Sequence, residues 1–82
     1  MNVFRDQEKF MRACDQSVDG WNEDQFNLYV KLINEEVSEL ATAITNNDRV
    51  EMLDALIDIL VVTAGAAHSM GADGAGAWKE VM

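Results

Sequence analysis

Proline is absent from this 82-residue chain, which also has one cysteine and only six lysine and arginine residues. Without proline, nothing in the sequence interrupts long helices. The single Cys14 excludes an internal disulfide and a cysteine-rich zinc site, and it is consistent with a reducing cytoplasm, where we expect the protein to be. Because 15 acidic residues outweigh the basic ones, the formal charge is −9, which disfavours direct binding to nucleic acid or to an anionic membrane.

Long hydrophobic runs are also missing. The longest, residues 59–67, is interrupted by Thr63 and Gly65 and is far shorter than the roughly 20 residues that cross a bilayer. The N-terminus has no apolar segment of signal-peptide length. With 49% hydrophobic residues the chain is not disordered, so we expect one soluble domain over residues 1–82. A chain this short buries only about two thirds or less of its unfolded surface, so a partner chain is plausible.

Hydrophobic periodicity predicts an all-α protein, a small antiparallel bundle of four helical segments that oligomerises through helix faces. The first segment covers about residues 3–14. Asn22, Asp48 and Asp73 are of the type that caps helix N-termini, Gln25 is placed for a capping-box contact, and Gly71 should end the third segment. The predicted core stripes are Phe26, Val30, Ile33, Val37, Leu40 and Ile44 on the second segment, and Val50, Leu53, Ile57, Leu60, Val61 and Ala64 on the third.

Carboxylates border both stripes. Helical phase places Glu36 and Glu39 on one flank of the second segment, and Glu51, Asp54 and Asp58 share one sector of the third. Two helices joined by a tight turn lie side by side, so these flanks can face each other, with few basic residues near them. The acids form either a solvated face or a site for a hard divalent cation, Mg²⁺ or Mn²⁺, and their position beside the apolar stripes favours the metal.

The stretch Glu35-Glu36-Val37-Ser38-Glu39, followed by DALIDILVVTAGAAHSMGAD, resembles the all-α nucleoside triphosphate pyrophosphohydrolases of the MazG type, which include phosphoribosyl-ATP pyrophosphohydrolase-like proteins. The resemblance implies that carboxylates bind Mg²⁺, that the metal grips a triphosphate, and that a metal-associated water releases the nucleoside monophosphate and pyrophosphate. It also implies a house-cleaning role in the nucleotide pool and a homodimer or homotetramer.

Carried over by position, the resemblance makes Glu36 and Glu39 metal ligands from the second segment and Asp58 a ligand from the third. Glu36 also belongs to the catalytic pair with Glu35, which is either a further ligand or the base that orients water.

The remaining acid of the third segment is ambiguous. Counting E-x-x-D directly gives Glu51 and Asp54, whereas alignment on the apolar run after Asp58 puts Ala55 where the family has glutamate. We favour Asp54 together with Asp58, and keep Glu51 as a lesser candidate.

Substrate contacts are less defined. Asn27 and Lys31 lie a helical turn apart and lead towards Glu35, so they either contact base or phosphate or form an ordinary polar face. Trp21 could stack on a base, but an aromatic after a glycine turn more often plugs a bundle end, which we favour. Relatives commonly continue with a lysine-containing tail, whereas this sequence stops at Met82; either this form is truncated, or Lys31 or a neighbouring subunit contacts the phosphates.

The sequence therefore predicts a Mg²⁺-dependent enzyme that hydrolyses nucleoside or deoxynucleoside triphosphates. One alternative is a non-enzymatic helical module whose acidic surface binds a basic protein. Another is hydrolysis of phosphoribosyl-ATP, which ranks lower because nothing in the sequence marks a phosphoribosyl pocket.

Overall fold

A computed structural model describes residues 2–82 and shows four α-helices. They are α1 (Val3–Ala13), α2 (Glu23–Thr45), α3 (Arg49–Ser69) and α4 (Gly74–Val81). No strand occurs within the described residues, so the predicted all-α class and the four helical segments are confirmed. Across the same residues, no helix combines the length and the hydropathy that crossing a bilayer demands.

Local sequence signals set the helix ends. Asn22, Asp48 and Asp73 each accept a hydrogen bond from the backbone N–H three residues further on, at 2.9–3.1 Å, and so cap α2, α3 and α4 as predicted. Gly71 follows the end of α3 with φ of 69°, a left-handed conformation that glycine adopts without strain. These positions confirm the predicted boundaries.

The predicted capping-box contact of Gln25 is wrong. Its side chain turns away from the Asn22 backbone: Nε2 donates to the Ser17 carbonyl at 2.7 Å and to Ser69 Oγ at 2.8 Å, while Oε1 accepts from the Ser17 N–H. The Asn22 N–H donates instead to the Ser69 carbonyl at 2.8 Å. Because these partners belong to the preceding loop and to α3, Gln25 fastens the start of α2 to the end of α3.

The helix α3 is central to the architecture. It packs most extensively against α2, and it also contacts α1 and α4. Close approach of α2 is possible because Gly65 has no side chain: a Cβ there would overlap the ring of Tyr29. Small residues therefore decide which side of α3 faces α2.

The buried core is small and differs from the predicted one. The buried hydrophobic residues are Met11, Val18, Tyr29, Ala43, Ala55, Ala64 and Ala66, of which only Ala64 belongs to a predicted stripe. Phe26 and Ile33 pack against this core as partly buried residues. The prediction is wrong for six of the twelve stripe residues, because α2 and α3 meet through small residues and leave these six exposed. The exposed members are Val37, Ile44, Val50, Leu53, Ile57 and Leu60.

Candidate metal centre

Glu36 occupies a position in α2 that faces α3. It lies seven residues after Tyr29 and seven before Ala43, and both of these are buried. Because seven residues are close to two helical turns, the three side chains lie along one line of the helix. Glu36 Oε2 is buried without a hydrogen-bond partner, and it is the one side-chain atom in this condition among residues 2–82. A carboxylate in such a position is costly unless something compensates its charge.

Burial and the neighbouring carboxylates make Glu36 harder to ionise. Its pKa is raised above the ordinary value, first by burial and then by repulsion from the carboxylates of Glu39 and Asp58. An ionised carboxylate cannot donate a hydrogen bond. When Glu36, Glu39 and Asp58 are all ionised, neither neighbour can therefore serve as a donor to Glu36 Oε2. A proton or a bound cation would remove the conflict. Glu39 and Asp58 are therefore near enough to Glu36 to oppose its ionisation.

A divalent cation fits the chemistry of this group. Both ion pairs within residues 2–82 involve Arg12, with Glu8 and Asp19, so no basic side chain in the described part pairs with the three carboxylates. Carboxylate oxygens suit hard cations such as Mg²⁺. As they stand, no three His, Cys, Asp or Glu side chains of the described residues are arranged closely enough to hold a metal ion. Binding would therefore require side-chain rotations that bring the carboxylates closer.

The other acidic candidates lie around this group. Asp54 is exposed, one turn before Asp58 on α3. Glu51, also exposed, lines a cleft of about 270 Å³ together with Glu39 and Asp48, where α2 turns into α3. The choice between Asp54 and Glu51 as a ligand stays open, because one lies near Asp58 and the other shares a cleft with Glu39.

The predicted catalytic residue Glu35 is exposed beside Glu36. Its position on the solvent side of the helix leaves it accessible to water, and its role stays a prediction.

When the sequence is aligned on the apolar run after Asp58, Ala55 stands where the acidic pattern has a glutamate, and the structure buries this alanine. It is only 4% exposed, lies three residues before Asp58, and is the position at which the resemblance places a glutamate. A buried position on α3 that could carry a ligand therefore carries none.

The predicted substrate contacts are spread along α2. Asn27 and Lys31 are exposed, and the helical rise places them about 14 Å and about 8 Å along the axis from Glu36. Trp21 is 59% exposed, with its ring centroid 5.1 Å from that of Phe26. Trp21 therefore does not plug the bundle end, and the role of all three in substrate binding stays a prediction.

Tyr29 is a positioning residue that the sequence reading did not single out. Its hydroxyl donates to Gln16 Oε1 and accepts from Gln7 Nε2 at 3.3 Å, while its ring covers Gly65. These contacts tie α1 and its following loop to the α2–α3 pair that carries Glu36. The seven-residue spacing from Tyr29 to Glu36 was the available signal.

The structure has four helices, and the carboxylates of Glu39 and Asp58 act on the buried, unpartnered Glu36 of α2. The family model described as phosphoribosyl-ATP pyrophosphohydrolase matches residues 5–82, so the chain belongs to this family. Comparisons with curated proteins and with solved structures gave no match. The family indicates a pyrophosphohydrolase, a hydrolase that acts on phosphoanhydride bonds.

Proposed function

We propose that the protein is a Mg²⁺-dependent pyrophosphohydrolase that converts nucleoside or deoxynucleoside triphosphates to the monophosphate and pyrophosphate, with Mn²⁺ as a substitute metal. The observation that carries the proposal is the buried, unpartnered Glu36 Oε2 beside Glu39 and Asp58. Membership in a pyrophosphohydrolase family supports the reaction type.

Within this proposal, Glu36, Glu39, Asp54 and Asp58 would hold the metal, and Glu51 is a lesser candidate for the place of Asp54. A bound Mg²⁺ would neutralise phosphate oxygens and polarise a water molecule. Glu35 lies on the exposed side of the same helix and accepts the proton of the attacking water at its carboxylate.

The proposed arrangement is an antiparallel α2–α3 pair. The hydrogen bond between the Asn22 N–H and the Ser69 carbonyl, which joins the start of α2 to the end of α3, supports it. Lys31, one turn before Glu35, is the basic group of α2 closest in sequence to the acids, and we assign it to the substrate phosphates.

Phosphoribosyl-ATP is a second candidate substrate, and the family match favours it. It carries the same triphosphate as a nucleoside triphosphate, so the same carboxylates would serve both reactions. What distinguishes the two candidates is recognition of the base and of the added phosphoribosyl group, which lie away from the metal.

The test is pyrophosphate release with Mg²⁺ from a panel of nucleoside triphosphates, deoxynucleoside triphosphates and phosphoribosyl-ATP. We expect release by the wild-type protein and loss in Glu36→Gln, whereas Glu23→Gln, an exposed site in the first turn of α2, should retain activity. A panel without any release, or equal activity in Glu36→Gln, would contradict the proposal and favour a non-enzymatic acidic module.

We also propose a cytoplasmic homo-oligomer. The exposed hydrophobic side chains of α2 and α3 support self-association.

A further inference from the structure

An apolar cavity of about 430 Å³ lies where α1, α3 and α4 come together. We call it the α1–α4 cavity, and its lining includes Asn2, Phe4, Leu60, Thr63, Ala64 and Trp78. Its volume falls within the range of about 300–1,000 Å³ in which proteins bind small molecules. The Phe4 ring is a fixed part of the wall, because it packs on Gly74, where a Cβ would overlap it, and stands edge-on to the ring of His68.

The α1–α4 cavity lies on the opposite side of α3 from the acidic group. At 100° per residue, Leu60, Thr63 and Ala64 lie about 120–160° round α3 from Asp58. The rest of the cavity comes from α1 and α4, whereas the acidic group belongs to α2 and α3. A molecule in this cavity would therefore not occupy the candidate metal centre.

Two aromatic rings line the α1–α4 cavity. The close ring pairs within residues 2–82 are Phe4 with His68 and Trp21 with Phe26, so Trp78 stacks on no ring of the described chain. Trp78 is also 52% exposed. An indole in this condition gains stability by packing on a planar group. The two rings therefore suit a planar ligand better than a flexible chain.

Two polar side chains lie among the apolar ones. Asn2 Oδ1 caps α1 by accepting the Phe4 N–H at 2.9 Å and the Arg5 N–H at 3.4 Å, so its amide NH₂ is the part that can reach a ligand. The exposed Thr63 adds a hydroxyl. A few polar groups in a mostly apolar lining are what orients a ligand in a pocket.

A second cleft, of about 300 Å³, continues from the α1–α4 cavity, and Asn2 and Trp78 line both. It brings together Arg5 of α1 and Lys79 of α4, so we call it the cationic cleft. Both cations are exposed, and the two ion pairs within residues 2–82 belong to Arg12 instead. Arg5 and Lys79 can therefore bind an anion without breaking an ion pair of the described chain.

The charges of the cationic cleft favour a phosphate over a carboxylate. Its lining has one carboxylate, Asp73, whose Oδ1 already accepts the Gly76 N–H at 2.9 Å as the cap of α4. A phosphate monoester carries up to two negative charges and several acceptor oxygens, so it can use both Arg5 and Lys79. A single carboxylate group would need only one of them.

We propose that the α1–α4 cavity and the cationic cleft together bind a nucleoside monophosphate. The base lies in the cavity against Phe4 and Trp78, and the phosphate lies in the cleft between Arg5 and Lys79. A nucleoside monophosphate matches the page of contacts because it joins a planar group with a polar edge to a doubly charged phosphate. This site shares no residue with the candidate metal centre, so the proposal does not rest on the proposed reaction.

The experiment is a titration of the isotope-labelled full chain with adenosine monophosphate (AMP), followed by NMR at the tryptophan indole N–H signals. The chain has two tryptophans, and Trp21→Phe identifies which signal belongs to Trp78. We expect AMP to shift the Trp78 signal and to leave the Trp21 signal in place. EDTA is present throughout to keep divalent metal away from the acidic group, so failure here would not count against the proposed function.

Three further ligands separate the two parts of the site. Adenosine lacks the phosphate, so its dissociation constant should be about tenfold or more above that of AMP. Inorganic phosphate lacks the base and should leave the Trp78 signal in place. Dodecanoate carries one carboxylate on a flexible chain and should bind more weakly than AMP. Tighter binding of dodecanoate would overturn the proposal in favour of an acyl ligand.

Arg5→Gln and Lys79→Gln should each raise the dissociation constant for AMP by about tenfold and leave that for adenosine unchanged. Lys9→Gln, at an exposed position of α1 outside both linings, is the control and should change AMP binding by less than about threefold. Undiminished AMP binding in both cleft variants, or a Trp78 signal that does not respond to AMP, would overturn the proposal. So would a Trp78 signal that follows protein concentration instead of AMP, because a second copy would then cover the cavity.

Discussion

Glu36 of α2 and Asp58 of α3 meet as like charges across the helix pair. After burial and the Glu39 carboxylate, Asp58 contributes to the raised pKa of Glu36, whose Oε2 has no hydrogen-bond partner. The negative charge of Asp58 on α3 therefore opposes ionisation of Glu36 on α2. This conflict costs stability in the metal-free protein, and a bound cation would relieve it.

Replacing Glu36 by glutamine should stabilise the metal-free protein above pH 4.5, the ordinary pKa of this carboxyl. Because the folded-state pKa is raised, the folded chain keeps a proton that the unfolded chain has already lost. The stability that Glu36 contributes is therefore present at low pH and is lost as pH rises through the folded pKa. Urea unfolding of wild type and Glu36→Gln between pH 4 and pH 8, with EDTA present, measures the difference.

The gap in unfolding free energy between wild type and Glu36→Gln should widen upward from pH 4.5 and then level off. Glu23→Gln, at an exposed position of the same helix, is the control and should track wild type. A gap that does not change with pH would show that the Glu36 pKa is not raised in the folded protein.

Mg²⁺ should raise the thermal stability of the wild-type protein but not of Asp58→Asn. A ligand at one hundred times its dissociation constant adds about 2.7 kcal/mol, which corresponds to about 10–20 °C in Tm for a domain of this size. Differential scanning calorimetry with Mg²⁺ or EDTA measures the shift. If Mg²⁺ raised the Tm of Asp58→Asn as much as that of the wild-type protein, Asp58 would not be a metal ligand.

The same measurement on Asp54→Asn and Glu51→Gln identifies the remaining ligand. Both residues are exposed, so neither variant should alter the stability of the metal-free protein by more than about 0.5 kcal/mol. The variant with the smaller Mg²⁺ shift marks the ligand. Full shifts in both would mean that Glu36, Glu39 and Asp58 suffice.

Ala55→Glu should destabilise the metal-free protein and tighten its binding of Mg²⁺. Ala55 is 4% exposed and lies three residues before Asp58, so the new side chain would be overpacked and its charge would join the other acids. We expect a loss of about 2–4 kcal/mol, measured by urea unfolding in EDTA and partly recovered with Mg²⁺. Ala55→Gln matches the volume without the charge, and equal behaviour of the two variants in Mg²⁺ would contradict the prediction.

Gly65→Ala should destabilise the fold by about 1–2 kcal/mol, measured by urea unfolding. An alanine Cβ would overlap the Tyr29 ring, which cannot move freely because Gln7 and Gln16 hold its hydroxyl. The preference of alanine for helices offsets about 1 kcal/mol of this cost. Gly20→Ala is the matched control, because a Cβ there meets nothing within 4 Å. Equal stability of the two variants would show that α2 and α3 do not need this close contact.

Most helix boundaries could be read from the sequence because capping is local. Asn22, Asp48 and Asp73 each bind an N–H three residues away, and Gly71 adopts a left-handed conformation that glycine reaches without strain. Gln25 could not be read in this way. Its partners, Ser17 and Ser69, come together only after the helices pack.

In the candidate site, too, some features could be predicted from the sequence and others depend on how the helices pack. Helical phase predicts that Glu36 and Glu39 of α2 can face Asp58 of α3, and in the structure Glu39 and Asp58 both raise the pKa of Glu36. Phase alone did not indicate that Glu36 Oε2 is buried, because that depends on how closely α3 approaches α2.

The sequence by itself determined where the helices begin and end and which residues share a helix face, because hydrogen bonds within a few residues and a period of 3.6 fix both. Only the tertiary structure decided which apolar side became the core. A hydrophobic stripe indicates that a helix face is more stable out of water, but it does not indicate which element covers that face. At Gly65 the missing side chain admits Tyr29, so α2 and α3 meet through small residues and the larger stripe of Leu53 and Leu60 stays exposed.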